Sequence, residues 1–292
     1  MRNRTKITMP KTNDLMLCLM LYLAAILFIV CGGLVLLAHL TGQALDGPVI
    51  AFETQRDGNA EIYLVDVNTR ALHNLTHHPA ADTHPAWSPD GERVAFVSHR
   101  NAGGERRIYV TAVSDWEDAY PITPQDGLVG AVPGEMKWST DGAHILFLRS
   151  VSGIRSIMSA AASGDNTLRQ LSEDDLEAQV YLGELSQQWS GVAFAPGEVE
   201  AERPSVTVEF IKNQWWIVTR DASPQAPRQQ ITMMSNYAVS MDSLPHWSSD
   251  GQQFVYADLV GLELELFIVE AVPGASPRRL TYGGGISPAW RP

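Results

Sequence analysis

The 292 residues, 45% hydrophobic and 18% charged, are ordinary for one or two globular domains carrying a single membrane segment. The formal charge is −12, and beyond residue 14 there are 17 basic against 32 acidic residues, a formal −15. Such a surface disfavours nucleic acid and anionic lipid headgroups and favours basic partners or cations.

Residues 1–14 are a cytoplasmic basic arm, with Arg2, Arg4, Lys6 and Lys11 against Asp14. No charge interrupts residues 15–38. As a helix this run spans about 36 Å, enough for a bilayer core of about 30 Å. It reads as one transmembrane helix. The alternative is a cleaved signal peptide ending near Gly42-Gln43-Ala44, but signal peptides have a shorter apolar region of about 7–15 residues. The basic residues before the helix place the N-terminus in the cytoplasm and the rest in the periplasm or outside the cell. Both cysteines, Cys18 and Cys31, lie inside the run, so the remainder needs no disulfide. Residues 39–47 form a short linker.

From residue 48 to 292 one pattern recurs. Its clearest copy is Pro85-Ala86-Trp87-Ser88-Pro89-Asp90-Gly91, followed by Val94-Ala95-Phe96. Pro89 presets φ at the first corner of a tight turn, Asp90 can bond its own backbone, and Gly91 suits a positive φ. Trp87, Trp138, Trp189, Trp247 and Trp290 are expected at equivalent points. The strand after the turn recurs as Val49–Phe52, Val94–Phe96, Ile145–Phe147, Val192–Phe194 and Phe254–Tyr256. A third strand recurs around Ile62-Tyr63, Ile108-Tyr109, Ile157-Met158, Trp216-Ile217 and Phe267-Ile268, and a fourth ends in Leu75-Thr76, Ile122-Thr123, Leu171-Ser172, Ile231-Thr232 and Leu280-Thr281. Four short strands per unit, repeated, predict an all-β fold of the β-propeller type.

At these residues the chain resembles the TolB-type, WD-like propeller repeat, with its W-S-P-D-G turn, I-A-F strand, I-Y strand and closing L-T. The resemblance covers residues 48–292 and implies a fold rather than an activity, because such propellers host both enzymes and binding modules. Phe52 lacks a preceding tryptophan strand and Trp290 lacks a following one. The expectation is therefore five four-stranded blades, with the C-terminal strand completing the first.

Function is less legible. The connections from each fourth strand to the next first strand, at 77–84, 124–135, 173–186, 233–244 and 282–287, carry acids and neither lysine nor arginine. Asp126, Glu135, Asp174, Asp175, Glu184 and Asp242 are the candidate partner-binding acids, alongside Asp82, Glu173 and Glu177. Arg56, Arg100, Arg106, Arg155, Arg203 and Lys212, in loops on the same face, are placed to absorb part of that charge. Trp215 and Trp216 are neighbours on a strand, so alternation sends one inward and leaves the other as a candidate aromatic anchor. His77, His78, Asp82 and His84 share one connection, but without a fixed ligand spacing they read as a solvated loop rather than a metal site. Asn74-Leu75-Thr76 fits a glycosylation acceptor, and a closing strand equally well. No G-x-S-x-G, H-E-x-x-H, C-x-x-C or phosphate-binding loop occurs, and no cofactor is called for. The expectation is a membrane-tethered, non-enzymatic module that binds or scaffolds a protein partner, for instance as an accessory subunit of a membrane complex. The alternative is a propeller enzyme or carbohydrate-binding protein using a metal or acidic site at the channel mouth.

Overall fold

The repeated turn closes the same way wherever it is complete. The hydroxyl of Ser88 donates to the Asp90 carboxylate and accepts the Arg93 N–H at 2.9 Å. Ser139 does the same with Asp141, at 2.6 Å, and with His144, and Ser248 does so with Asp250 and Gln253. Each aspartate also accepts the N–H two residues on, from Glu92, Ala143 or Gln252. These bonds, the serine's first, hold all three carboxyls below the ordinary aspartate range. Gly91, Gly142 and Gly251 sit at φ of 68°, 68° and 67°, where a side chain would be strained.

The computed structural model describes residues 47–292, apart from 102, 125–135, 153, 173, 190–191, 195–202, 222–226 and 236–244. The arm 1–14, the apolar run 15–38 and the linker up to residue 46 lie outside the described residues. Among the described residues no helix is long and apolar enough to cross a membrane.

Among the described residues, five antiparallel four-stranded sheets follow one another. The first holds β1 (Val49–Thr54), β2 (Glu61–Asp66) and β3 (Leu72–Asn74), with β20 (Ile286–Trp290) on the other side of β1. Ile50 pairs with Trp290 and Ala51 with Ala289. The second runs β4 (Asp82–Trp87), β5 (Arg93–Ser98), β6 (Arg107–Ala112), β7 (Asp115–Pro121). The third runs β8 (Lys137–Trp138), β9 (His144–Val151), β10 (Ile154–Ala161), β11 (Leu168–Leu171). The fourth is β12 (Val192–Phe194), β13 (Ser205–Ile211), β14 (Gln214–Arg220), β15 (Gln229–Met234), and the fifth is β16 (His246–Trp247), β17 (Gln253–Val260), β18 (Glu263–Glu270), β19 (Arg278–Arg279). This is a β-propeller-like, predominantly β fold.

The apolar residues of the strands pack between sheets rather than within them. Val97, Ile108, Val110 and Ile122 of the second sheet meet Ile145, Phe147 and Met158 of the third. Phe52 and Val65 of the first meet Val255, Leu266 and Ile268 of the fifth, and Val206, Ile217 and Met234 of the fourth meet Trp247, Phe254 and Tyr256 of the fifth. The tryptophans stitch these interfaces. Trp87 Nε1 donates to Ala289 O, Trp138 Nε1 to Ala86 O, Trp247 Nε1 to Ala193 O and Trp290 Nε1 to His246 O, all at 2.9–3.0 Å. Each indole thus reaches the first strand of a neighbouring sheet.

The fourth sheet departs from expectation. Val192–Phe194 was expected as a second strand and is the first; β13 is the second. Trp189 does not stand in a strand but ends helix α1 (Leu176–Trp189). The register explains both. Trp247 bonds to Ala193, the position that Ala86 holds before Trp87, so Phe194 occupies the tryptophan position. A phenylalanine ring, unlike an indole, has no N–H to offer a neighbour.

Helix α1, where a connecting loop was expected, covers the third sheet. Ala178, Tyr181 and Leu185 share one helical face and pack on Leu146, Leu148, Ile157 and Leu171. Asp175 stands at the N-cap position: its carbonyl accepts the Gln179 N–H, while its carboxylate turns back to the Ser172 N–H at 2.8 Å.

Removing Ile286–Pro292 deletes a whole strand and the Trp290 indole, so the domain should lose several kcal/mol. Trp290→Phe keeps most of the apolar contact but strands the His246 carbonyl, and should cost about 1–2 kcal/mol. Denaturant titration checks both, and an unchanged midpoint for the deletion would contradict the pairing of β20 with β1.

Candidate functional site

The face that carries the connections between sheets is built on buried carboxylates. Glu61, at the start of β2, accepts from the Thr76 hydroxyl and the His78 N–H, while the Thr76 oxygen accepts the Ile62 N–H. Glu265, in β18, repeats the arrangement with Thr281, the Gly283 and Gly284 N–H groups and an Arg279 ion pair at 2.8 Å. Burial alone would raise the Glu265 carboxyl, but these bonds together hold it below the ordinary range. Neither glutamate was singled out from sequence.

Several acids on this face are occupied internally. Asp82 is fully buried and paired with Arg100 at 2.7 Å, and burial pushes its carboxyl up against that pairing. Arg100 also lies over the rings of Phe96 and Tyr109 at 5.0 and 5.1 Å. Asp175 stands at the N-cap of α1 and pairs with Arg169 at 3.1 Å. Asp174 is exposed beside it. Glu184 belongs to α1, but its side chain lies outside the described residues, as do Asp126, Glu135 and Asp242 altogether. His78 lends its backbone to Glu61, and among the described residues no group of three or more metal-ligating side chains is placed to hold an ion.

Trp215 and Trp216 lie on opposite faces of the fourth sheet. Trp215 packs toward the fifth sheet with Phe210, ring centroids 5.0 Å apart. Trp216 pairs with Glu209 and with the half-exposed Met233. Both rings are partly buried, so alternation separates them without freeing either completely.

The first strands meet one another, β4 with β8 and β20, and β16 with β12 and β20. The residues preceding the tryptophan position along them are Ala86, Lys137, Ala193, His246 and Ala289. Three are small and two are basic, a set that local sequence pattern does not pick out. His246 is held neutral, down to about 4, by burial first and by the charge of Lys137 second.

A histidine whose folded pKa lies below its unfolded value of about 6.5 takes up its proton more readily when unfolded. Stability should therefore fall as pH drops from about 6.5 toward about 4. His246→Gln should flatten that part of the profile, read from melting temperature against pH, and an unaltered slope would show that His246 does not govern it.

A family model described as the TolB beta propeller domain matches residues 44–180. The Tol-Pal system protein TolB of Desulfosudis oleivorans is 29% identical over 111 residues, covering 36% of this chain and 24% of that protein. The chain thus spans about a quarter of the length of that curated relative. Among solved structures, TolB from Acinetobacter baumannii is 16% identical with a TM-score of 0.42, covering 88% of this chain and 70% of that one. An oligogalacturonate lyase in complex with manganese is 15% identical with a TM-score of 0.31, covering 72% and 54%. Over residues 44–180 the chain is similar to the TolB β-propeller domain, and the sheets beyond residue 180 repeat the same four-stranded unit.

Proposed function

We propose that the chain is a membrane-tethered, extracytoplasmic β-propeller of five blades, closed by β20, that binds a protein partner without catalysing a reaction. The match of residues 44–180 to the TolB β-propeller domain carries this reading. The curated relative is named as a component of the Tol-Pal system, which favours a place for this chain as an accessory subunit of a membrane complex. The tether rests on the uncharged run 15–38 behind a basic arm, and the extracytoplasmic side on the same charge asymmetry.

The docking surface in this reading is the face of the sheet-to-sheet connections. Asp82 and Asp175 are engaged in the fold, so the contribution to a partner falls on Asp126, Glu135, Asp174, Glu184 and Asp242, with Trp216 as the aromatic neighbour. Carboxylates gathered on one face steer a basic partner and act chiefly on association rate.

N-terminal sequencing of the membrane-bound protein should find residues 15–38 retained; a start near Leu45 would show a cleaved signal peptide instead. A partner recovered with the full-length chain in mild detergent should associate more slowly with an Asp126→Asn, Asp174→Asn, Asp242→Asn variant, and more slowly for the parent as salt rises. The melting temperature should hardly move. An association rate indifferent to both the substitutions and the salt would place the binding surface elsewhere.

A further inference from the structure

In each sheet the fourth strand is the outer one, and among the described residues no strand lies beyond it. Its outward N–H and C=O groups invite pairing, and proteins blunt such edges by shortness, charge or proline. Four of the five edges are blunted in these ways. β3 has three residues, and β19 has two, both arginines. β11 has four, with Arg169 among them, and β7 carries Asp115, Asp118 and Pro121. β15 is different. It has six residues, Gln229–Met234, without charge or proline, and the irregularity in its pairing is a bulge against β14 near Ile217 and Val218.

The surroundings of β15 share its neutrality. From Pro227 to Ser235 the chain holds no acid. Glu209 of β13 is balanced by Arg220 at 3.2 Å and Arg228 at 2.8 Å, and the Asp258 carboxylate accepts the Ser235 N–H at 3.0 Å. Gln230 and Met233 are exposed. They pair with Val218 and Trp216 of β14, two residues apart, and so stand on one face of the sheet.

We propose that β15 is a homodimer contact, in which the outer edges of two copies pair antiparallel about a two-fold axis and join two four-stranded sheets into one of eight. An isologous contact brings each patch against its own copy, and like charges set opposite each other across strands are unfavourable. A chain with a formal −15 beyond residue 14 therefore meets itself most easily along a neutral strand. A basic partner, which its acids attract elsewhere, gains nothing there. The backbones supply the hydrogen bonds, and Gln230 and Met233 of both copies line the junction. So short an edge buries little area, which places the dimer among weak, reversible contacts. The contact is independent of the partner-binding face, and loss of either leaves the other standing.

Sedimentation of the full-length chain in mild detergent should show a monomer–dimer equilibrium at micromolar concentrations. Gln230→Lys with Met233→Lys should weaken the dimer about tenfold or more, and so should Gln230→Glu with Met233→Glu. Mixed in equal amounts, the lysine and glutamate variants should associate as well as the parent does, a recovery that misfolding does not produce. In the parent, hydrogen exchange at the β15 amides should slow as concentration rises. A parent that stays monomeric at several hundred micromolar, or a dimer untouched by both pairs of substitutions, would overturn the proposal. Variants that stay apart on mixing, or β15 amides whose exchange ignores concentration, would overturn it equally.

Discussion

Each first strand has a free edge, and its outward carbonyls have no further strand to pair with. Buried carbonyls left that way are costly, and an open edge invites unwanted pairing. Four indoles solve both problems together. Their rings fill the gap between neighbouring sheets, and their N–H groups reach Ala86, Ala193, His246 and Ala289. Alanine at three of these positions leaves room for a large ring to come close. Arginines reinforce two of the junctions: Arg291 donates to Gly91 O and lies over Trp87, and Arg93 donates to Gly142 O and lies over Trp138 at 4.8 Å. The repeat is conserved in geometry because the interface, rather than the single sheet, satisfies it.

The fourth sheet shows what happens when one member of the set is missing. Phe194 holds the register without an indole N–H, and α1 supplies the apolar cover for the third sheet through Ala178, Tyr181 and Leu185. Lys137 stands before the tryptophan position of the third sheet, where three of the other four sheets carry alanine. The regular sheets, by contrast, leave little free chemistry, because their polar side chains close turns and hold connections.

Much of the architecture was legible because the turn uses residues with specific backbone needs: Pro89, Asp90 and Gly91 cannot easily mean anything else. Four tryptophans and most strands followed from that signal. Trp189-Ser190 misled because it imitates the motif, whereas the register runs through Ala193 and Phe194, which the motif does not pick out. The candidate site was harder to read. Counting acids on connections locates a face but cannot tell an exposed Asp174 from a buried Asp82 or an Asp175 at a helix start. Glu61 and Glu265 escaped because a glutamate at a strand start ordinarily points to water, and only the threonine fifteen or sixteen residues later, brought back by the sheet, shows otherwise. Lys137 and His246 become neighbours only once the first strands are assembled.

The pairing of β20 with β1 also has a consequence in time. Ile50 finds its partner at Trp290, so β1 waits for a strand made about 240 residues later. Until then the opening sheet carries a bare, apolar edge, and closing so long a loop is slow. A chain interrupted late in translation or halted during export would present that edge to chaperones and proteases. Completion of the opening sheet thus waits on synthesis of every strand between β1 and β20.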